Sequence, residues 1–504
     1  MVRLILWVAA IAVVAIAVIA ISRTVTAHRA PTTLPSAAPA SHLDASAAVQ
    51  RGAAWTDKSR RALRVLATDA FGDPAFPPQT GVVIESARDG SVLYSRNASM
   101  SLTPASVVKL VIAGTALHDL GSSYRFTTQI VTDTAPQAGA IAGSVWLVGS
   151  GDPELTSHDL RVAVNSIRDS GVSRIAGDVV ADGSLFGSDN VDPTWEADDL
   201  EYGYAAPTSA VTLDGGTAQF TITPDPAGGA ADVRVDPPNL VGPILGDVRT
   251  VSADGENTLL IDPIPGTDSF QVSGDIPYGA PQKYWRSIAH PEASAASALR
   301  TMFQTAGIDV TGAARVGASL KDATVLWSKQ SRPLSTIIRR MLFDSDNHIA
   351  EQLVRVVGAH DAGIGTLSNG IAREHMFLTG IGAPQDGISL KDASGLSASD
   401  RITPRSLAAV LSHLAADSAG PAIGDLLPRV GVEGTVHVRD IAPEARGRVL
   451  GKDGYIGGVS SLAGYVLTKH HGVVIYVFMV NNWDASLDSI WRSEDDLLVK
   501  LSTF

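Results

Sequence analysis

Apolar positions run unbroken from Leu4 to Ile21, about the length a helix needs to cross a bilayer. Residues 1–22 therefore read as a membrane anchor or signal segment. Residues 23–55 are rich in Ala, Pro, Ser and Thr and show no apolar period, the composition of a flexible tether. From 56 onward the pattern is that of folded protein. Gln79 to Tyr94 alternates as a hairpin would, with Asp89-Gly90 at its turn. Leu102 to Ile112 reads as the start of a helix, with Thr103 as cap and Pro104 in the first position, ending near Gly121. From 131 to 285 short apolar runs are broken by glycines, prolines and turn signals, which predicts a β-rich insertion. Helical spacing returns at Pro291 to Gly307. It recurs in Leu334, Ile337, Ile338, Met341 and Leu342, and again over Ile349 to Val357. Val473 to Val480 is a strand-like run. One domain, 56–130 and 286–504, is thus expected to be split by the insertion.

Composition narrows the function. The 504 residues, 45% hydrophobic and 18% charged, suffice for a sizeable core. A net charge of −13 argues against nucleic acid as a partner. There is no cysteine, so disulfides and thiolate zinc sites are excluded. The histidines form no H-E-x-x-H, and neither a P-loop nor a dinucleotide fingerprint occurs. No metal or cofactor is called for. At the N-terminus, Val25-Thr-Ala27 offers a small-residue cleavage site, but the long apolar run favours an uncleaved anchor.

The chemistry lies in three short strings. Ser106-Val-Val-Lys109 is the only S-x-x-K in the chain. It puts a nucleophile and a base three residues apart on one helix face, at the positive end of the dipole. A serine hydroxyl needs such a base, and lysine serves if its pKa is lowered. Ser345-Asp346-Asn347 falls between two helical stretches, where side chains are aimed into a cleft. Two other S-x-N strings, at Ser95 and Ser188, lie in turn-rich segments without flanking helices. Lys452-Asp453-Gly454 is the only K-x-G, followed by Tyr455. Taken singly, Asn347 reads as a helix cap and Lys452 as a solvated charge. Their joint order lifts them above that.

In this order S-x-x-K, S-x-N and a K-T-G-like triplet are the signature of penicillin-recognising active-site serine enzymes. The chain resembles the class C, low-molecular-mass penicillin-binding proteins, which are D-alanyl-D-alanine carboxypeptidases and endopeptidases. Val145-Trp-Leu-Val-Gly-Ser-Gly-Asp-Pro-Glu-Leu155, Asp392-Ala-Ser-Gly-Leu-Ser397 and Gly431-Val-Glu-Gly-Thr435 match the same family. The resemblance implies an α/β (α+β) fold, an antiparallel sheet with helices on both sides, and an insertion of two small accessory domains. It implies Ser106 as nucleophile on the penultimate D-alanine of peptidoglycan stem peptides and Lys109 as its base. Ser345 would relay a proton to the leaving amine, Asn347 would orient the substrate amide, and Lys452 would meet the terminal carboxylate. Asp453, Gly454 and Tyr455 would line the substrate, with the N–H groups of Ser106 and Tyr455 as the oxyanion hole. β-Lactams would be covalent inhibitors, and the protein would act outside the cytoplasm. Asp392 to Arg401, with two acids and an arginine, reads as scaffold.

One departure stands out. The family triplet carries threonine where this chain has Asp453. A second carboxylate 4 Å from a substrate carboxylate costs about 1 kcal/mol in water and about 4 at an effective dielectric of 20. It would also hold Lys109 and Lys452 charged, against the needs of a lysine base. Either Asp453 impairs turnover, leaving a module that binds cell-wall peptides or proteins, or it pairs with Lys452 and activity survives.

Overall fold

The computed structural model describes residues 52–504, apart from 239, 418–419 and 484–485. The anchor or signal segment expected at 1–22, and nearly all of the tether, lie outside the described residues. Among the described residues no helix is long and apolar enough to cross a membrane.

The described residues are packed slightly before the expected boundary. Trp55 is buried and stacks on His471 at 4.2 Å between ring centroids. Thr56 then caps the Asp57–Phe71 helix, sharing a capping box with Ser59. The centre of the molecule is a five-stranded antiparallel sheet, in the order Val449–Ile456, Val459–Leu467, Val473–Asn481, Thr80–Ser86, Val92–Arg96. The expected hairpin forms its edge, with Ile84 opposite Tyr94. Alternation along the strands sends side chains to two different cores. Ala463, Tyr465, Ile475 and Val477 meet the Lys109–Leu120, Leu334–Asp344, Asn347–Ala362 and Pro404–Ala416 helices. Leu462, Val466, Val474 and Phe478 meet the Asp57–Phe71 and Leu487–Ser502 helices. Both faces are covered, so the two central strands are buried along their whole length.

The insertion differs from expectation in extent. Its larger sheet runs Ala314–Val316, Val179–Asp182, Val145–Val148, Thr127–Thr132, Thr324–Gln330. The Pro291–Thr305 helix buries Ala295, Leu299 and Phe303 in the core of that region. Residues 286–330, grouped in sequence with the second half of the main domain, therefore belong to the insertion. Helical spacing shows that an element has an apolar face without showing which sheet receives it. A second group of short strands, including Thr217–Thr223, Phe270–Ser273 and Gln282–Ser287, shares the same apolar cluster through Phe220 and Phe270. The two accessory parts are joined by one core.

Because Gly52, Ala53 and Trp55 are already bound to the body of the protein, deletion of Met1 to Arg51 is expected to leave a soluble protein with a single cooperative thermal transition. Circular dichroism melting of the shortened chain checks this, and aggregation without a transition would show that the leading segment is needed for folding.

Candidate active site

The turn that carries Ser106 is held by its surroundings more than by its own sequence. Ser106 lies in a 3-10 turn, Ala105–Val108, that runs directly into the Lys109–Leu120 helix. Thr103 does not cap it, contrary to expectation. Its N–H donates to Asn481 Oδ1 (2.8 Å), and its hydroxyl accepts from Arg401 (2.7 Å), so it ties the turn to the sheet and to a neighbouring loop. Ala105 has φ +49°, a left-handed conformation that costs a β-carbon-bearing residue free energy. Two glycines make room for this turn. A β-carbon on Gly395 would come within 2.1 Å of the Ala105 carbonyl oxygen, and one on Gly454 within 2.8 Å of Ser106 N. The third residue of the K-x-G string is therefore glycine because the strand's backbone rests on the Ser106 peptide.

Lys109 is fully buried beneath Ser106. Its Nζ lies 2.9 Å from Ser106 Oγ, 2.7 Å from Asn347 Oδ1 and 2.5 Å from the Ser394 carbonyl oxygen. Burial first, then the charge of Lys452, lowers its pKa to about 7, against the opposing pull of Asp392, Asp346 and Glu351. The pKa is lowered although Asp453 is ionised nearby, so the expectation that Asp453 would hold Lys109 charged is corrected. Once neutral, the amine keeps two N–H bonds, to Asn347 and Ser394, and its lone pair is left facing Ser106 Oγ.

Asn347 reaches this point because two helices meet at a sharp junction. Ser345 ends the first with φ +56°, and Asp346 caps the second by accepting from Ile349 N (3.1 Å). Asn347 thus opens the Asn347–Ala362 helix with its Oδ1 on Lys109 and its Nδ2 donating to the Tyr204 carbonyl (3.0 Å). Ser345 is half-buried and has no hydrogen bond to Ser106 or Lys109 among the described residues.

Lys452 lies on the Val449–Ile456 strand, fully buried. Its Nζ donates to Asp453 Oδ1 (2.7 Å) and to the Asp453 carbonyl (2.6 Å). The same Oδ1 accepts from the Thr435 hydroxyl at 2.5 Å. Burial would raise the Asp453 pKa, but the Lys452 charge and the bonds from Lys452 and Thr435 outweigh it and hold the carboxyl below its ordinary value. Of the two readings left open by the triplet, the pairing with Lys452 is the one observed. Tyr455 is 45% exposed and Gly454 buried, so the strand's end opens toward solvent beside Ser106.

Several functional atoms escaped sequence reasoning. The Ser394 carbonyl touches both Lys109 and Ser106 (3.3 Å to Oγ). Its loop is gripped by buried Glu351, whose Oε1 accepts from Ala393 N and Ser394 N (3.0 and 3.1 Å). Asp392 accepts from Gly395 N (2.6 Å), Ser397 N (2.8 Å) and the Trp195 indole (2.8 Å). Asp392 is scaffold as expected, but this loop also contacts Ser106 and Lys109. The D-A-S-G-L-S string was the available signal for this loop, and Gly431-Val-Glu-Gly-Thr435 contained Thr435 without indicating its role; nothing marked Glu351.

A buried lysine amine on a serine hydroxyl, between a helical layer and a sheet edge, defines an active-site serine hydrolase. The chain belongs to the D-Ala-D-Ala carboxypeptidase 3 (S13) family, which it matches over residues 67–499. It is 33% identical over 412 residues to a D-alanyl-D-alanine carboxypeptidase of Actinomadura sp. (strain R39), covering 78% of this chain and 76% of that one. It is 24% identical to D-alanyl-D-alanine carboxypeptidase DacB of Haemophilus influenzae, covering 80% and 85%. The crystal structure of penicillin binding protein 4 (dacB) from that organism superposes with a TM-score of 0.77 at 23% identity, over 87% of this chain and 99% of the other. A second structure of it, complexed with a β-lactam, gives 0.72. The expected fold is therefore the observed one, and the chain is a serine peptidase of the peptidoglycan carboxypeptidase class.

Gly454→Ala is expected to lower acylation at least ~100-fold, since the added methyl pushes on the nucleophile's own peptide. It is expected to destabilise the fold by about 1–3 kcal/mol. Stopped-flow acylation beside thermal melting separates the two effects.

Proposed function

We propose that this protein removes the terminal D-alanine from peptidoglycan stem peptides through an acyl-enzyme on Ser106, and that β-lactams trap the same serine. The observation that carries the reading is the fully buried Lys109 amine 2.9 Å from Ser106 Oγ. In its neutral form Lys109 accepts the hydroxyl proton as Oγ attacks the penultimate D-alanine carbonyl. The N–H groups of Ser106 and Tyr455 receive the developing oxyanion. As the C–N bond breaks, the proton passes to the leaving amine with Ser345 as relay, and Asn347 orients the substrate amide. Water then hydrolyses the ester, and Lys109 serves as base a second time. Endopeptidase action on cross-links follows the same steps with a larger leaving group. Action on peptidoglycan places the folded region outside the cytoplasm, and residues 1–22 would hold it at the membrane.

The competing reading, a cell-wall binding module without turnover, draws on Asp453 occupying Lys452. It predicts no covalent adduct. Incubation with a labelled β-lactam is expected to add one adduct mass to the intact protein, lost in Ser106→Ala with the fold retained. Labelling of another serine in that variant would refute the assignment.

Acylation should also report Lys109. Only the neutral amine accepts a proton, so the rate is expected to rise with pH through a midpoint near about 7. The Lys452 charge helps depress that value, so Lys452→Met should move the midpoint to higher pH. Second-order acylation rates across pH 5 to 9 for both proteins check the sign.

A further inference from the structure

Most lysines placed to receive a substrate anion are left without a fixed partner; Lys452 is not. Its ammonium is completely buried and already bound to Asp453 Oδ1 at 2.7 Å. The carboxylate is fixed from the other side by Thr435, 18 positions earlier in the chain. Thr435 is itself set by Gly434, which has φ +56° and lies so close to the Phe343 carbonyl oxygen that a β-carbon would come within 2.6 Å. Phe343 belongs to the helix that ends at Ser345. The Thr435 hydroxyl is thus delivered from the junction that carries Ser345 and Asn347 to the strand that carries Lys452. Asp453 keeps 31% of its side chain exposed while Lys452 has none, so an incoming group meets the carboxylate before the ammonium.

The geometry points to a leaving-group subsite that accepts an uncharged carboxamide in place of a free carboxylate. Its preferred substrates would be D-alanyl peptides whose leaving amino acid is amidated at the carboxyl group or continues as an in-chain amide. This rests on the reading of Ser106 as an acylated nucleophile. Lys452 and Asp453 sum to zero charge, and the Asp453 carboxyl stays ionised at neutral pH. A carboxylate ligand would face a fixed like charge with its natural counter-ion already engaged. A carboxamide meets no such repulsion, and its NH₂ donates to the exposed side of Asp453. Bond changes are those of the ordinary reaction: the Ser106 Oγ–carbonyl bond forms, the C–N bond breaks, and the serine proton leaves with an amino-acid amide.

The test compares kcat/KM for one N-acylated D-alanyl-D-alanine peptide as free acid and as C-terminal amide, in the full chain and in Asp453→Thr and Asp453→Asn. The unaltered protein is expected to favour the amide by ~10-fold or more, about 1.4 kcal/mol of barrier. Both variants are expected to reverse toward the free acid. Their free-acid rates should fall as salt is raised, because the attraction between the substrate carboxylate and an unpaired Lys452 charge is screened, while that of the unaltered protein should be nearly flat. Equal acid-to-amide ratios in all three proteins, with Ser106 still acylated by an uncharged acyl-thioester, would overturn the subsite assignment and leave the proposed function standing. Failure of the thioester to acylate Ser106 in any of them would overturn both.

Discussion

The site depends on keeping one amine dry. Lys109 has no solvent exposure, and without water its ammonium must find every partner within the protein. Three are provided: Ser106 Oγ, Asn347 Oδ1 and the Ser394 carbonyl. They come from three separate segments, so burying this one group requires that the Lys109 helix, the helix junction and the 392–397 loop all be in place. The same burial brings the Lys109 pKa down to about 7. Folding and the lowered pKa of this amine are here one constraint.

Acidic groups surround this amine at a second remove. Glu351, Glu374, Asp392 and Asp400 are all buried. Burial first, then the charge of Asp392, raises the Glu351 pKa to about 7, with Arg355 opposing. Glu374 is pushed well above its ordinary value by burial and by Glu351 and Asp392, and neither of its oxygens has a hydrogen-bond partner in the structure. Near neutral pH this cluster therefore carries less negative charge than its formula. That matters for Lys109, because each ionised neighbour pulls its pKa back toward the ordinary lysine range. Keeping part of the cluster protonated lets acids organise the Ser394 loop through hydrogen bonds without cancelling the effect of burial on the base.

What was legible in the chain divides along physical lines. Ser106, Lys109 and Asn347 could be read because side-chain type and spacing encode them, and the structure joins all three by hydrogen bonds. Helical spacing from Leu334 to Leu342 matched a real buried face. The Ser394 and Tyr204 carbonyls could not be read, since every residue has a carbonyl and no letter marks the one aimed at a lysine. Thr103 was misread for a related reason: a threonine before Pro104 satisfies the capping rule locally, but Asn481 and Arg401 claim it from distant segments. The insertion boundary failed because the Thr324–Gln330 strand pairs with Thr127–Thr132, a non-local pairing that short-range pattern does not contain.

The accessory region is also not a passenger. Five of its contacts fall on the elements that hold the nucleophile. Tyr204 O receives Asn347 Nδ2, Ser209 O receives Gln352, and Asp189 O receives Arg355 at 2.6 Å. The Trp195 indole donates to Asp392, and Thr194 bonds Ser397. The first three fix one face of the Asn347–Ala362 helix, and the last two fix the loop bearing Ser394. Each involves a buried or half-buried polar group that gains a partner across the boundary. Removal of the insertion would therefore expose those groups and take away one support from each of the two acceptors on the Lys109 amine, although Glu351 would still hold the Ser394 loop. A half trimmed to the sheet and its helices could keep its apolar cores and still lose the direction of the Lys109 amine toward Ser106 Oγ. In this chain the placement of that amine is supported by contacts from the insertion.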